Sequence, residues 1–466
     1  MTKAEWVDFF ENKTFDSVSA FAKRYQDGKL DFETLQHEIS FIYNIGLYYS
    51  EYYESDDRIQ TIFRNDDKYY LAIYYYLKGI KLYEENKELL DSDIYFINEI
   101  IRRIYVNLGN EFSNQFRSIN ALFYFRRALE IDDCFDMALG NFALGIEHHN
   151  PLIGLEPDKY CMVFNLLYEL YFDIHLDNLD SGHEFFEAKK IQYMEMQTAY
   201  INSIVQGKDA NYDPYAFFTE IELFEQSYEN WCVVNTLYLN YLNDLGNYKE
   251  AIFDIDISKL NKELGLSDVQ ICSISNLFQL YILQRKKIYD CRDLDNDETL
   301  HELAQVFQCL YSYFDKVAFF IYKFFGLSGE ERAVNINSIW NMKDADANSL
   351  LEYKNQYLYN IYWLRKEYRE NTKDKMKINE LLSPDAQDYA NIRNTLEHRE
   401  FSFKEIDGLP YMNPELLYSK TLKLASVVRN MLLSLIQMVK IEIELKDPLT
   451  NKRNMDLVYF VYEGFK

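Results

Sequence analysis

Proline and glycine are scarce in this sequence, with 7 and 15 among its 466 residues. Sandwiches and barrels need many tight turns, which depend on these two residue types, so those architectures are disfavoured. Valine and threonine form no alternating runs, which argues against β-strands. Aromatic residues are abundant instead, with 41 Tyr and 33 Phe to fill the contacts between packed helices. We therefore predict an all-α protein.

Positive charge is also in short supply. The formal net charge is −26, and the resulting repulsion excludes a protein that coats DNA, RNA or an anionic membrane without specificity. The excess of negative charge is unevenly distributed along the chain. Residues 384–466 carry 11 Lys and Arg against 12 Asp and Glu, so nearly all of the excess lies before them. A polyanionic ligand would therefore meet the least repulsion in this C-terminal part.

Sequence signals for disulfides, export and membrane insertion are missing. The six cysteines include no Cys-x-x-Cys pair, so we expect free thiols in a reducing compartment. The first residues, Met1–Asp8, are charged and lack the apolar core of a signal peptide. The most apolar stretch, Val317–Phe325, is short and contains Lys323. We predict a cytoplasmic protein with no membrane partner.

Most familiar catalytic motifs are missing as well. We find no phosphate-binding glycine loop, dinucleotide-binding fingerprint, Gly-x-Ser-x-Gly turn or His-Glu-x-x-His zinc motif. His148, His149, His175 and His183 are scattered among polar or acidic residues. Because they follow no metal-ligand spacing, we predict neither a metal site nor another cofactor.

The first half contains one clear helical-repeat pattern. Small and large apolar residues within Tyr105–Ala128 have the spacing of a tetratricopeptide repeat, in which a small residue lets two helices approach closely. Gly109 and Ala121 would form this contact. The first half of the chain resembles an array of roughly three to six degenerate repeats. Within it, Trp231–Ala251 is interpreted as a further helix-turn-helix. The aromatic stripes are interpreted as core packing, or alternatively as a face that binds a protein regulator.

An acidic stretch, Asp293–Glu298, separates this array from a different pattern. We place a domain boundary there, which assigns residues 1–294 to the repeat array and residues 295–466 to a second domain. Apolar residues in the last predicted helix recur about every 3.5 positions, which is the spacing of a helical bundle. The four helices predicted in the second domain cover residues 303–325, 347–370, 384–398 and 415–445.

The third of these helices ends in a polar stretch that carries a chemical pattern. Ser383 and Pro384 are a typical helix start. Near its other end, Arg393 and His398 are about 140° apart around the helix axis and about 7.5 Å apart along it. One helix would therefore direct both side chains to one phosphate less readily than two facing helices would. His398, flanked by Arg393 and Arg399, suggests a phosphate site; a solvent-exposed helix end is the alternative.

The segment Arg393–His398 resembles the Arg-x-x-x-x-His motif of the HEPN superfamily, and Asn394 is the polar residue that typically follows the arginine. The position of the motif in the third helix of a C-terminal four-helix bundle is similar to that family. The preceding repeats, the stretch Trp231–Gly246 and the segment Phe314–Ala318 resemble its LA-type branch. The resemblance implies a tetratricopeptide-like array followed by a C-terminal HEPN bundle.

The resemblance also implies a function. HEPN proteins are commonly metal-independent endoribonucleases of antiphage defence or toxin systems, and they form homodimers through this domain. In such an enzyme His398 would act as general base on the ribose 2′-OH or as acid on the leaving 5′-oxygen. Arg393 would stabilise charge on the scissile phosphate, and Asn394 would orient the phosphate or the histidine. The products would be a 2′,3′-cyclic phosphate and a 5′-hydroxyl.

Further side chains extend this predicted RNA site. Asp315 is interpreted as a supporting residue behind the site, or alternatively as part of a structural salt bridge. Four basic residues are interpreted as lining the RNA path, or alternatively as a solvated bundle surface: Arg399, Lys404, Lys420 and Lys423.

Two other functions remain open. One is a non-catalytic scaffold whose bundle binds nucleotide or RNA, and the other is a toxin-type protein that a nucleotidyltransferase partner modifies.

Overall fold

The structure, a computed structural model, describes residues 14–52, 70–86, 94–115, 117–153, 160–179, 182–207, 213–257, 266–353, 355–369 and 385–446, together with residues 1, 5, 8, 9 and 11. Ser383 and Pro384, the predicted start of the motif helix, lie outside these residues. The chain divides into two compact units. Unit 1 combines Met1–Phe142, Asp173–Phe186 and Asn371–Pro384, and unit 2 combines Ala143–Phe172, Glu187–Glu370 and Asp385–Lys466.

The described residues are largely helical and contain isolated β-bridges but no strand. This confirms the predicted all-α class. The described α-helices are, in chain order, α1 Phe15–Gln26, α2 Leu35–Tyr52, α3 Leu71–Glu85, α4 Ile94–Asn114, α5 Ser118–Ile131, α6 Asp136–Ile153, α7 Tyr160–Asp173, α8 His183–Val205, α9 Tyr228–Val234, α10 Asp268–Asp290, α11 Asp297–Tyr311, α12 Tyr313–Phe324, α13 Gln356–Arg369, α14 Ala386–His398 and α15 Pro414–Lys446.

In unit 1, α4 and α5 pack against each other in the region of the predicted repeat. Gly109 on α4 lies against the ring of Phe125 on α5, and a Cβ atom at Gly109 would be 2.4 Å from the ring carbon Cε1. Ala121 is buried in the same unit, but the side-chain atoms that a Cβ at Gly109 would meet first belong to Phe125. The absence of a side chain at position 109 therefore allows the close approach. The number of further repeats stays a prediction.

The long helix α15 forms the centre of unit 2. It contacts α10, α11, α12, α13 and α14, and its apolar stripe, which includes Leu417, Leu424 and Leu435, is fully buried. The stretch Pro414–Ile443 is long and apolar enough to cross a membrane, but most of it is buried inside the protein. Its apolar character is that of a core helix.

Two of the four helices predicted in the second domain have different bounds in the structure. The helix expected over residues 303–325 is divided into α11 and α12 at Ser312, whose hydroxyl donates to the Cys309 carbonyl at 2.6 Å. The helix expected from residue 347 begins at Gln356, because Asn355 accepts hydrogen bonds from the backbone N–H groups of Tyr357 and Leu358. The described bounds of α14 and α15 lie within two residues of the prediction.

The interpretation of Trp231–Ala251 as a repeat-type helix-turn-helix is wrong. Only Tyr228–Val234 is α-helical here, and Thr236 follows with a φ angle of 52°, which ends the helix. Short 3-10 turns at Tyr241–Asp244 and Lys249–Ala251 form the rest. The reason lies in long-range contacts, because this segment binds a buried arginine of α15.

Arg429 on α15 is fully buried, and all of its donors are used. Its Nη1 and Nη2 atoms donate to the two carboxylate oxygens of Asp244 at 3.0 and 2.8 Å. Its Nε donates to the Tyr238 carbonyl at 2.5 Å, Nη2 also donates to the Asn240 carbonyl, and Nη1 also donates to Asn430. A buried guanidinium is tolerated only with such complete pairing. Residues 238–244 are therefore attached to the bundle.

A second buried arginine binds the same segment to α10. Arg285 donates to both carboxylate oxygens of Asp254 at 2.7 and 2.8 Å, and to the Leu237 carbonyl at 3.1 Å. The domain boundary predicted between residues 294 and 295 falls inside unit 2, and the Asp244–Arg429 ion pair crosses it. Residues 228–257 and 266–290 thus pack together with the bundle that carries the motif.

We expect Gly109→Ala to destabilise unit 1. Extra atoms in a packed core cost about 1–3 kcal/mol, and alanine recovers roughly 1 kcal/mol of helix propensity. The midpoint of urea unfolding, followed by circular dichroism, should therefore fall. In a Phe125→Leu background the smaller side chain makes room, so the same substitution should cost less. A Gly109→Ala protein as stable as wild type would contradict the close approach.

We expect Asp244→Asn to destabilise unit 2 by about 3–5 kcal/mol, because it leaves the Arg429 charge buried without a counter-ion. The exposed pair Lys286–Asp290, with 3.2 Å between Nζ and Oδ1, provides the matched control. Asp290→Asn makes the same substitution in an ion pair on a solvated surface and should cost less than about 1 kcal/mol. Equal losses in urea unfolding would show that Arg429 does not depend on Asp244.

Candidate functional site

Contacts with α11 hold the motif helix α14 in place. Tyr389 and Ile392 are buried in the core of unit 2, and the ring of Tyr389 stacks on Phe307 with 6.3 Å between centroids. Near the end of the helix, the side-chain amide of Gln308 donates to the Leu396 carbonyl at 3.2 Å. The buried face and this hydrogen bond together fix the position of the last turn of α14, where the motif lies.

The structure brings Arg393 and His398 to one oxygen atom. The Arg393 Nη2 atom is 2.7 Å from the Glu397 Oε2 atom, and the His398 Nε2 atom is 3.6 Å from the same oxygen. Because both nitrogen atoms contact the same oxygen, the separation of Arg393 Nη2 and His398 Nε2 cannot exceed the sum of their distances to it. Both side chains thus reach the same carboxylate from one helix, and the expectation that two facing helices would close them on a phosphate more readily stays a prediction. The arginine side chain is long and extends along the helix surface to Glu397, four residues later, which directly precedes His398.

Arg393 has unused hydrogen-bonding capacity, unlike Arg429. Its side chain is 29% exposed, and its Nη1 atom is 3.5 Å from the Asn394 Oδ1 atom, which is a weak contact. Its Nε donor is buried and has no hydrogen-bond partner among the residues that the structure describes, so this atom does not face a ligand. The guanidinium lies 5.9 Å from the ring centroid of Tyr311. A partly exposed guanidinium whose Nη1 atom is only weakly bound is suited to binding a phosphate group.

His398 and Asn394 are exposed on the same helix. His398 is the last residue of α14, and its side chain is 65% exposed. Asn394 is also exposed and contacts the Arg393 guanidinium. A ligand that approaches the end of α14 can therefore reach the imidazole, the guanidinium and the amide together. The predicted catalytic roles of these three residues stay predictions.

Three of the four predicted RNA-binding residues lie at the surface. Arg399, directly after the helix, is exposed. The Lys404 Nζ atom is 2.7 Å from the Asp297 Oδ2 atom in a pair exposed to solvent, and the Lys423 Nζ atom is 3.6 Å from the Asp385 Oδ2 atom. The exposed Lys404–Asp297 pair contributes little to stability and exchanges readily for other partners. In the Lys423–Asp385 pair the lysine side chain is 39% exposed and the aspartate side chain 16%.

Lys420 is placed differently. Only 4% of its side chain is exposed, and its ammonium group forms ion pairs with Asp385 and with Asp388, the latter at 2.9 Å. Lys420 therefore joins α15 to the start of α14 and does not lie on a surface that RNA can reach. The spacing contains the missed signal, because Lys420 is three residues after Leu417 and four before Leu424, on the buried face of the helix.

Asp315 has a structural contact. Its Oδ1 atom accepts a hydrogen bond from the backbone N–H of Ile336 at 3.1 Å, and Ile336 is buried in the core of unit 2. This hydrogen bond links α12 to the loop that follows it. A supporting role for Asp315 at the motif stays a prediction.

Glu397 is the residue that the sequence analysis did not single out. Its spacing of four from Arg393 predicts an ion pair on a helix surface, but the shared contact with His398 becomes visible only in the structure.

Within the described part of the chain, no group of three or more His, Cys, Asp or Glu side chains converges to hold a metal ion.

Comparison with known protein families assigns the C-terminal region. Residues 280–442 match the family described as LA2681-like HEPN. The match begins within α10 and includes α11 to α14 and most of α15, so it contains the whole motif. No curated protein and no solved structure matches the chain. The predicted resemblance to the HEPN superfamily is thereby confirmed.

We expect Lys420→Met to lower the stability of unit 2 by about 1–3 kcal/mol, because Asp385 and Asp388 lose a buried partner but keep some contact with water. Lys423→Met is the matched control and should cost less than about 1 kcal/mol. Urea unfolding measures both. Weaker RNA binding by folded Lys420→Met, with stability unchanged, would instead support the original prediction.

Proposed function

Because residues 280–442 form a HEPN domain of the LA2681-like type, we propose that this protein is a metal-independent endoribonuclease. The observation that carries the proposal is the convergence of Arg393 and His398 on one anionic oxygen. A phosphodiester presents the same kind of oxygen. The pair lies at an exposed helix end in the region of the chain with the least excess of negative charge, where a polyanion meets the least repulsion.

In the proposed reaction an RNA phosphodiester replaces the Glu397 carboxylate at Arg393. The guanidinium donates to the non-bridging oxygens and stabilises the charge that grows on them in the transition state. The His398 imidazole takes the proton of the ribose 2′-OH, and the 2′-oxygen attacks the phosphorus. The bond to the 5′-oxygen breaks, and that oxygen takes a proton. The products are a 2′,3′-cyclic phosphate and a 5′-hydroxyl, and Asn394 orients the phosphate.

We place this reaction in a homodimer formed through the HEPN domain. Proton transfer to the 5′-oxygen needs an acid in addition to the base, and each chain provides a single histidine at this helix end. A second copy would supply another His398 and Arg393 and would enclose the exposed imidazole. Light scattering from purified protein measures the proposed state.

The proposed setting is cytoplasmic antiphage defence or a toxin system. The N-terminal helices would bind a protein regulator, in keeping with their tetratricopeptide-like pair α4 and α5.

The ion pair between Glu397 and Arg393 supports a second candidate function. In a domain that binds nucleotide or RNA without cleaving it, the ligand's phosphate would simply replace the Glu397 carboxylate at Arg393. The ion pair suits such a domain, because this exchange involves no chemical step. Binding without product formation is the result that favours this alternative.

We expect purified protein to cleave end-labelled RNA in the presence of EDTA. Arg393→Ala and His398→Ala should each lower the rate by a factor of about 10²–10⁴, the usual contribution of a phosphate-stabilising or proton-transfer group. Gel electrophoresis with phosphatase treatment of the 3′ ends identifies the cyclic phosphate.

Two exposed residues serve as controls for this assay. Arg332 forms a surface ion pair with Glu330, as Arg393 does with Glu397, and His183 is an exposed histidine at the start of α8. Arg332→Ala and His183→Ala should cleave at the wild-type rate. Equal cleavage by His398→Ala and wild type would refute the proposed role of the motif.

A further inference from the structure

The Glu397 carboxylate occupies the position where the proposed function requires a phosphate. Its Oε2 atom lies 2.7 Å from Arg393 Nη2 and 3.6 Å from His398 Nε2. An Arg-x-x-x-x-His pattern does not require an acidic residue at this position. The contact therefore needs its own explanation.

A carboxylate oxygen and a non-bridging phosphate oxygen bind a guanidinium in the same way. Both accept charge-assisted hydrogen bonds, and both prefer the planar pair of N–H donors. A phosphate that enters between Arg393 and His398 must therefore displace Glu397 from the arginine. The carboxylate then remains close to the phosphate, and two like charges at short range repel each other.

We propose that Glu397 is a resident anion that competes with the RNA phosphate for Arg393 and His398, and thereby sets the affinity of the site. This inference rests on the proposed function, because it identifies the competing ligand as an RNA phosphodiester. Glu397 lowers occupancy of the site by anions that make a single contact. A polynucleotide displaces it, because neighbouring phosphates and bases add contacts that a small anion lacks.

The strength of the pair determines the size of the effect. Arg393 and Glu397 are both partly exposed, at 29% and 33%, and they are four residues apart on one helix. Pairs of this kind contribute up to about 1 kcal/mol, which corresponds to about a fivefold change in a dissociation constant. Removal of the competing charge should therefore tighten phosphate binding about two- to fivefold.

The test measures RNA binding separately from cleavage. The probe is a short fluorescein-labelled 2′-O-methyl RNA of mixed sequence, which lacks the free 2′-OH and so is not cleaved by the proposed mechanism. Fluorescence anisotropy with the full-length protein gives the dissociation constant. Glu397→Gln should bind the probe about two- to fivefold more tightly than wild type. Glu397→Ala, which cannot accept a hydrogen bond from Arg393, should show at least the same gain.

Two further variants establish that the gain comes from the ion pair. In an Arg393→Ala background, Glu397→Gln should lose most of its effect, because no guanidinium remains for the carboxylate to block. Glu400→Gln removes the same charge from an exposed position two residues after His398. It controls for a general reduction in negative charge and should change the affinity less than Glu397→Gln does.

The outcomes separate this inference from the proposed function. Unchanged or weaker binding by folded Glu397→Gln and Glu397→Ala overturns the competition. If unmodified RNA is still cleaved in a manner that depends on Arg393 and His398, the ribonuclease proposal stands without it. Tighter binding that depends on Arg393, together with no cleavage by any variant, supports the competition and refutes the ribonuclease.

Discussion

The packing of unit 2 depends on the buried ion pair between Arg429 and Asp244. Arg429 lies inside the bundle, where an unpaired guanidinium would cost several kcal/mol, and Asp244 with two backbone carbonyls satisfies it. The segment around residues 238–244 is therefore part of the domain, although it has little regular structure. On the same helix, the buried ammonium of Lys420 binds Asp385 and Asp388 and so positions the start of the motif helix.

Two arginines in this domain illustrate how hydrogen-bond saturation separates structural from functional roles. Arg429 has a protein acceptor for each donor group and no contact with solvent. Arg393 is partly exposed, pairs with a single carboxylate and makes only a weak Nη1 contact with Asn394. Only the second arrangement leaves capacity for a ligand. The region that matches the LA2681-like HEPN family, residues 280–442, includes this arginine.

The helices that follow one apolar period were predictable, and those that depend on a local polar contact were not. The stripe through Leu417, Leu424 and Leu435 predicts α15 nearly to its ends. The break between α11 and α12 at Ser312 was not predicted, because the apolar period continues through it. A single hydrogen bond from the Ser312 hydroxyl marks its position. The segment 231–251 was misinterpreted, because its conformation depends on hydrogen bonds from its own acceptors to Arg429, which lies far along the chain.

The sequence by itself determined the helical class and the motif from Arg393 to His398, because composition and residue spacing are local properties of the chain. Only the tertiary structure decided which charges reach solvent. Lys420 and Lys423 are three residues apart on one helix, yet one is buried against two carboxylates and the other is partly exposed. Glu397 acquired its importance in the same way, because a side chain's partners depend on where neighbouring side chains end in space.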